Sequence, residues 1–525
     1  MKAMKRIVMF FLGILFVFSL VACSQGVESD PVIPLDINTE ASADEKPTLN
    51  IHLQASGYSE AELNQQYAVK VISEITDYNV RYSQLPATGD TEALDLALIN
   101  RSQYHAIKVT KEQYNRLVAQ GALLNIKPAL DKFGQDIYDA YYDYSWSIVS
   151  KDGGIYGIPE GGPPIKGQTN VVDCIIFRKD LLDSWQKHVP ETTEEFEELL
   201  RYAKTEQGIQ YPFVMTDEKA LVPTIAVAFD IYQEWQGDNG DYHFYLEDQN
   251  MKSYLDYMIS LNNQGLLNPD SLIYDKADAV RNFGEGKAVA VAVSVYEVDA
   301  ILSTLINSGI IASDKDSEEV LSVVGGFEDS NGEVHTYHTG GYSYVTVIPK
   351  YMYEEAGYTI DHINKKIIEE NFKRYYIGEE GVHYTVTSGP DGDLIYRPIE
   401  GKFDELNSAA GFCTGTNPKA SPPLWRCRVY NKEYLPFLMT LNENSDAEGT
   451  YNPMNFTSEL PTYDQVKGVV EQDACDACLN MIFTQKSSDG LTAALNTWLN
   501  AGGRTGKQEL AAWAKDNWEG KVKVE

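Results

Sequence analysis

The sequence predicts an α/β fold, and three observations predict it. Short apolar or alternating runs of strand length recur along the chain, amphipathic stretches at helical spacing stand between them, and Gly, Asn and Asp mark the joints. Strands that alternate with helices call for a largely parallel sheet covered by helices on its faces. The chain has 525 residues, of which about 480 follow an amino-terminal segment of different character, too many for one simple core, so at least two lobes are expected.

Each element has its own justification. Pro47 to Leu53 alternates and reads as a first strand. Leu63, Tyr67, Val71 and Ile75 give Ser59 to Thr76 helical spacing. Tyr78 to Tyr82 reads as a second strand, Leu94 to Ile99 as a helix or short strand, and Tyr104 to Val109 as a third strand. Tyr114, Leu117 and Val118 mark a helix that Gly121 ends. The run Lys151 to Pro159, KDGGIYGIP, is a turn followed by a short extended piece, and Val171 to Phe177 is a buried strand interrupted by Asp173. Thr192 stands where it can cap a helix, with Glu195 three residues on, and Phe196, Leu199, Leu200 and Ala203 form one apolar face. The carboxylates of this stretch form a solvated face and partners for the helix dipole. Met251 to Gly265 is a further amphipathic helix, Asn282 to Ala288 a tight turn, Val289 to Val295 an apolar strand, and Tyr344 to Ile348 another. Leu491 to Asn500 is helical until Gly502-Gly503 stops it, and Gln508 to Trp518 makes a last helix. There is no long internal repeat.

The amino terminus is not part of this pattern. MKAMKR supplies three cations, and an apolar run from Ile7 to Leu20 follows, short for a membrane-spanning helix. A cationic start, a short apolar run and small residues at its end describe an export signal. Leu20-Val21-Ala22-Cys23 resembles the lipobox of bacterial lipoproteins, in which the cysteine becomes the new amino terminus and carries acyl chains. The resemblance implies that residues 1–23 are a leader, that Cys23 is lipidated, and that the protein sits on the extracellular face of the cell membrane, held by more than one acyl chain. Residues 24–47 are polar and acidic and read as a flexible stalk.

Bulk chemistry narrows the partners. The formal charge is −34, which excludes nucleic acid as a partner, because phosphate binding needs a basic surface, and disfavours polyanionic glycans. Cys174, in an apolar strand, reads as a buried thiol. Cys413 and Cys427 flank a Gly/Pro-rich loop and could pair, since exported chains permit disulfides. Cys475-Asp-Ala-Cys478 could be redox-active or half a zinc site, but no His stands near it, and two thiols of one helix or a local disulfide fit the spacing better. Asp238-Asn-Gly-Asp241 and Asp391-Gly-Asp393 are short of a calcium loop and read as turns. No metal and no cofactor are expected.

Seven stretches then carry a likeness. They are GALLNIKPALDKFG from Gly121, DGGIYGIP from Asp152, IIFRKDLLD from Ile175, VPETTEEFEELL from Val189, YLDYMISLNNQGLLNPD from Tyr254, NFGEGKAVAV from Asn282 and LNTWLNAGG from Leu495. In this order they resemble the family-1 extracellular solute-binding proteins of bacterial ABC importers, particularly the larger lipoproteins of Gram-positive bacteria. One departure stands out. Members commonly carry a Ser-Gly-Asp-x-Pro-Asp turn before the third strand, and Asp90 to Val109 lacks it. Nor is Val382 to Arg428 matched to the family pattern. The resemblance implies a two-lobed, periplasmic-binding-protein-like fold of class II, with a hinge and a ligand cleft between the lobes, acting as a monomer and presenting its ligand to an ABC permease. Lobe boundaries are expected at 48–160 with 322–395, and at 161–321 with 396–525.

A carbohydrate ligand needs aromatic faces for the C–H side of each ring and polar groups for the hydroxyls. Trp146, Trp235 and Trp425 lie in loop-like settings and are candidates on that ground. Tyr296 and Glu297 follow the strand Val289 to Val295, and strand ends are where open α/β sheets bind ligands. Tyr342 follows Gly340-Gly341, and Glu160 follows Pro159 at an expected hinge. Trp498, Trp513 and Trp518 sit on helical faces and read as core. The leading expectation is a lipid-anchored receptor for a neutral oligosaccharide, without catalysis. The alternatives are a surface glycoside hydrolase, which needs a spaced carboxylate pair, and a glycan-binding adhesin or sensor.

Overall fold

A computed structural model describes residues 30–162, 171–238, 240–389, 392, 394–443, 451–458 and 460–517. The expected export leader, Cys23 and the start of the expected stalk lie outside the described residues. So do Trp518, the carboxylates Asp391 and Asp393, and part of the turn after Asp238. Among the described residues no helix is long and apolar enough to cross a membrane.

The chain first builds a sheet from strands β1 (Leu49–Leu53), β2 (Val80–Gln84) and β3 (Ala106–Thr110), all parallel. Helix α1 (Tyr67–Thr76) crosses from β1 to β2, α2 (Asp90–Ile99) follows β2, and α3 (Lys111–Ala119) follows β3. Strand β4 (Ile158–Gly162) then reaches the far edge of this sheet. A second sheet follows: β5 (Asp173–Arg178), helix α4 (Thr193–Thr205), β6 (Phe213–Val214), the hairpin β7 (Trp235–Asp238) and β8 (Asp241–Phe244), helices α5 (Met251–Asn263) and α6 (Lys276–Gly284), β9 (Ala290–Ser294) and β10 (Leu321–Val324). Its order is β10-β5-β9-β6. The chain returns to the first sheet as β11 (Gly341–Val347), which inserts antiparallel between β3 and β4. Helices α7 (Ala356–Ile367), α8 (Glu369–Ile377) and α9 (Ser421–Arg428) stay with the first sheet. Then α10 (Tyr434–Glu443), α11 (Lys467–Asn480), α12 (Leu491–Trp498) and α13 (Arg504–Asn517) pack on the second.

Alternation explains how each sheet is buried on both faces. On β5, Ile175 and Phe177 face one core while Cys174 and Ile176 face another. Phe177, Phe196 and Phe213 meet edge to face at 5.9 and 5.1 Å, joining strand, helix and strand. Helix α4 starts as its sequence predicts: the Thr192 hydroxyl accepts from the Glu195 amide at 3.2 Å. The Glu195 carboxylate, however, reaches past Thr192 to the Glu191 amide at 3.0 Å.

Four expectations are corrected. The sheets are mixed rather than largely parallel, because β11 and β5 run against their neighbours. Asn282 to Gly284 form the last turn of α6, so the tight turn is only Glu285 to Lys287. The lobe boundaries fall elsewhere at two places. Strand β10 pairs with β5, keeping 322–324 in the second lobe. Phe403, Phe412, Leu424 and Cys427 pack on Ile51 and Val71, keeping 403–428 in the first.

The fourth correction concerns the stalk. Residues 30–47 lie against the first lobe. Ile33 is buried at 6% exposure, the Lys365 ammonium donates to the Thr39 carbonyl at 3.2 Å, and Lys46 is buried over the Tyr78 ring. Ile33 and Ile37 supply enough apolar contact to hold an otherwise polar segment in place. Cys174, Cys413, Cys427, Cys475 and Cys478 are all free and buried.

Candidate functional site

Strand β3 ends at Thr110, and the first turn of α3 begins there. Thr110 Oγ1 accepts from the Gln113 amide at 3.2 Å, and Gln113 Oε1 accepts from the Thr110 amide at 3.0 Å, a reciprocal cap that fixes the strand-to-helix corner. Gln113 Nε2 also donates to Asp90 Oδ2 at 2.7 Å, tying the start of α3 to the start of α2. Both helix starts thus lie at one end of the first sheet, where open α/β sheets bind ligands.

Facing this corner is the segment from Met454 to Glu471, which belongs to the second lobe through Tyr463 and α11. Between the two lies a cavity of about 800 Å³. Its lining is polar and mixed. Gln113, Asn115, Asn455 and Gln465 bring amides, Thr91, Thr110 and Thr457 hydroxyls, and Asp90, Glu112, Asp464 and Glu471 carboxylates. Lys111, Arg116 and Lys467 bring cations, and Met454, Leu460 and Pro461 an apolar patch. Two smaller cavities, of about 220 and 210 Å³, continue along the second lobe, linked by Glu471 and Gly468 and then by Glu218 and Lys219.

Contacts cross this space. Lys111 Nζ donates to the Met454 carbonyl at 2.6 Å, and Asn115 Nδ2 donates to Asp464 Oδ2 at 3.2 Å. Burial, with the Lys467 charge adding to it, pushes the Lys111 ammonium down to about 7. Asp464 and Glu471 are pushed above the usual carboxylate range, chiefly by burial. Glu471 is held from behind: Trp235 Nε1 donates to its Oε1 at 2.9 Å and the Tyr463 hydroxyl at 3.0 Å. Arg116 is neutralised by Asp95 at 2.6 Å, and Lys219 by Asp173 at 2.9 Å.

None of the seven residues singled out from the sequence lines these cavities, and three of them are committed elsewhere. Glu160 is 3% exposed. Its carboxylate pairs with Lys108 Nζ at 2.6 Å and accepts from Thr346 Oγ1 at 2.7 Å and the Gly415 amide at 2.9 Å, so it fastens the sheet and has no face for a ligand. Trp235 is 1% exposed, enclosed by Phe244, Tyr463 and Trp498. Tyr342 is buried on β11. Trp146 is half-buried against Tyr138 and Tyr141 in the first lobe. Trp425 is half-buried on α9 and packs toward the second lobe's core. Tyr296 is 40% exposed and meets Tyr434 edge to face at 5.1 Å. Glu297 pairs with Lys276, which lines the smallest of the three cavities, at 3.0 Å.

The residues that do line the cleft were missed because their two halves are more than 300 positions apart. The readable signal was Thr110-x-x-Gln113, a capping spacing directly after a strand. Of the calcium candidates, Asp238 and Asp241 pair across the β7–β8 hairpin. Asp329, Glu333 and His335 bring ligand atoms within 4.8 Å of one another in a turn, where Asp329 already accepts from the Asn331 and Glu333 amides.

No protein-family model matches the chain. Among solved structures, an HMO-binding, ABC-transporter-associated solute-binding protein from Bifidobacterium longum infantis superposes with a TM-score of 0.64 at 13% identity, covering 90% of this chain and 99% of that one. This is the fold of the extracellular solute-binding proteins. Sequence relatives agree with it. Lipoprotein LipO of Bacillus subtilis is 23% identical over 54% of this chain and 56% of its own length. The polygalacturonan/rhamnogalacturonan-binding protein YtcQ of Bacillus subtilis is 27% identical over 46% of each. The cavity between α3 and Met454–Glu471 lies between the two lobes.

Proposed function

We propose that the chain is the lipid-anchored, ligand-capturing component of an ABC importer, and that it holds a neutral oligosaccharide between its lobes without chemical turnover. The observation that carries this reading is the cavity of about 800 Å³ between α3 and the Met454–Glu471 segment, lined by amides, hydroxyls and carboxylates from both lobes. Such groups match the donors and acceptors of sugar hydroxyls, and Met454, Leu460 and Pro461 offer an apolar floor for ring C–H groups. The volume and the two smaller cavities in line with it suit a ligand of several rings. Arg116 and Lys219 are already neutralised, which favours an uncharged ligand. Hinge closure would bring α3 and α11 together on it. Acylation at Cys23 would hold the receptor at the extracellular face, beside its permease.

One observation favours a second ligand class. Lys111 is held by a carbonyl and not by a carboxylate, and it lines the cavity with Lys467. A uronic-acid oligomer could take both cations, in keeping with what YtcQ is named for binding.

Isothermal titration of the form that starts after Cys23, against neutral and acidic oligosaccharides, separates these readings. Saturable binding of a neutral sugar, recovered intact, is expected. Preference for a uronic-acid oligomer would replace the ligand class and keep the receptor. Shortened sugars in the recovered mixture would replace the receptor by a hydrolase.

A further inference from the structure

Helix α11 carries one face that borders several cavities in turn. Lys467, Gly468, Glu471, Gln472 and Cys475 recur at steps of three and four, so they share one side of the helix. The first three line the main cavity of about 800 Å³, and Gly468, Glu471, Gln472 and Cys475 line the second, of about 220 Å³. The same face goes on to Asp476 and Leu479, which with Gln472 border a further cavity of about 500 Å³. From Lys467 to Leu479 the helix rises about 18 Å. The spaces therefore form a row along α11 and not a single bowl.

Gly468 is the joint between the first two. It lines both, and a Cβ built on it would meet nothing within 4 Å. Glycine is a poor helix former, and neither a positive φ nor close packing calls for one at this position of α11. What the missing side chain leaves is an open way from the main cavity into the second.

The charge changes across this joint. Lys111 and Lys467 both line the main cavity. In the second, the only cation among the described lining residues is Lys219, and it pairs with Asp173 at 2.9 Å. Glu218, Glu234 and Glu471 line the same space, and Leu221 and Phe244 add apolar surface. A sugar hydroxyl donates to a carboxylate, whereas an acidic sugar brought among these three meets like charge.

We propose that the ligand is an oligosaccharide long enough to leave the main cavity beside Gly468 and run along α11, and that the unit it places in the second cavity, against Glu218 and Glu234, is uncharged. The inference rests on the receptor reading proposed above and adds to it a length and a rule of charge by position. Acidic units are confined to the main cavity, beside Lys111 and Lys467.

The test titrates the form that starts after Cys23 with ladders, from disaccharide to hexasaccharide, of 1,4-linked glucose, mannose and galactose, and of galacturonic acid as the charged counterpart. For the neutral ladder that binds, affinity is expected to rise several-fold with length. Gly468→Leu, which puts a better helix former into open space, is expected to flatten that rise, costing the hexasaccharide several-fold more than the disaccharide. A second readout does not depend on affinity. The described native thiols are buried and Gln472 is exposed, so Gln472→Cys takes a thiol reagent. The bound hexasaccharide is expected to protect it, and the bound disaccharide to leave it reactive. Glu218→Gln combined with Glu234→Gln is expected to raise affinity for the galacturonate hexamer several-fold relative to the neutral one. A length dependence that survives in Gly468→Leu, or a bound neutral hexasaccharide that leaves Gln472→Cys reactive, overturns the extension along α11 and keeps the receptor. A galacturonate hexamer that protects Gln472→Cys as fully as its neutral counterpart overturns the charge rule. Silence from every neutral ladder at every length removes the neutral-sugar receptor itself, and this inference with it.

Discussion

The two lobes fasten their late chain segments by opposite chemistry. In the first, the segment 412–417 is held by buried charge. Lys108 pairs with Glu160, Glu160 accepts from the Gly415 amide, and Lys366 Nζ donates to the Phe412 carbonyl at 2.8 Å. In the second, the segment from Tyr463 to Trp498 is held by rings. Trp235, Phe244, Tyr463 and Trp498 pack at centroid distances between 4.7 and 5.7 Å, with one carboxylate, Glu471, at their edge. Buried charge is all-or-none, because removing one partner strands the other, while an aromatic cluster loses stability in proportion to the area removed. The first lobe is therefore held in one register, and the second tolerates repacking near its cavity.

The comparison can be broken in order of effect. Glu160→Ala leaves the buried Lys108 ammonium without its carboxylate, with only the Cys413 carbonyl at 3.3 Å and the Tyr344 ring beside it, and is expected to cost about 3–5 kcal/mol, read from chemical denaturation. Burial pushes Lys108 down, and Glu160 with its neighbours outweighs that and holds it raised, so the variant loses this support. The double variant Glu160→Leu with Lys108→Met should recover much of the loss. No recovery would mean that the pair fixes geometry which apolar packing does not replace.

Trp235→Phe keeps most of the ring and removes the donor to Glu471, at an expected cost of about 1–3 kcal/mol. The cost should depend on pH. Burial raises the Glu471 carboxyl in the folded state above its unfolded value. Its contribution is then complete below the ordinary carboxylate range and is lost as pH rises through the folded value. The variant removes a donor to the ionised form, so its deficit should widen from acid to neutral pH. A deficit of constant size would assign the loss to packing.

Lys111→Met removes the contact to the Met454 carbonyl across the cavity, at about 1 kcal/mol. The folded value of Lys111 lies near 7, below the ordinary lysine value of 10.5, so wild-type stability should gain as pH rises from one to the other, and the variant should flatten that gain. Its ligand affinity, followed by titration calorimetry, should fall several-fold. Tyr296→Ala should shift stability by under about 1 kcal/mol, since the ring is partly exposed. Its effect on ligand affinity decides whether the end of β9 touches the ligand.

Much of the fold was legible. β5 and β9 were marked by apolar runs, and α4 by Thr192 and its apolar face. The seating of residues 30–47 and the site were not legible, for a physical reason that both share. Ile33 and Ile37 look isolated in an acidic stretch until α7, more than 300 residues later, supplies Gly357 and Lys365. Trp235 sits among polar neighbours in sequence and looks available to a ligand, yet Tyr463 and Trp498 arrive to enclose it. Glu160 looks like a hinge carboxylate until Lys108 and Gly415 close on it. Local pattern reports the face a residue needs to bury, and the burying partner is set by tertiary contact.

The placement of β11 has a consequence for how the molecule comes into being. It occupies an interior position of the first sheet, between β3 and β4, although it is encoded some 180 residues after β4. A chain made from its amino terminus holds β3 and β4 with a vacant slot between them while β5 to β10 appear. All four strands of the second sheet are available before the first can be completed. The second sheet is then expected to pair before the first is complete. The first lobe waits with two unpaired strand edges, the hazard that makes long-range pairing slow and prone to aggregation. The sheet of the second lobe can pair early and bring the ends of that gap together, while the helices α10 to α13 that cover it arrive last.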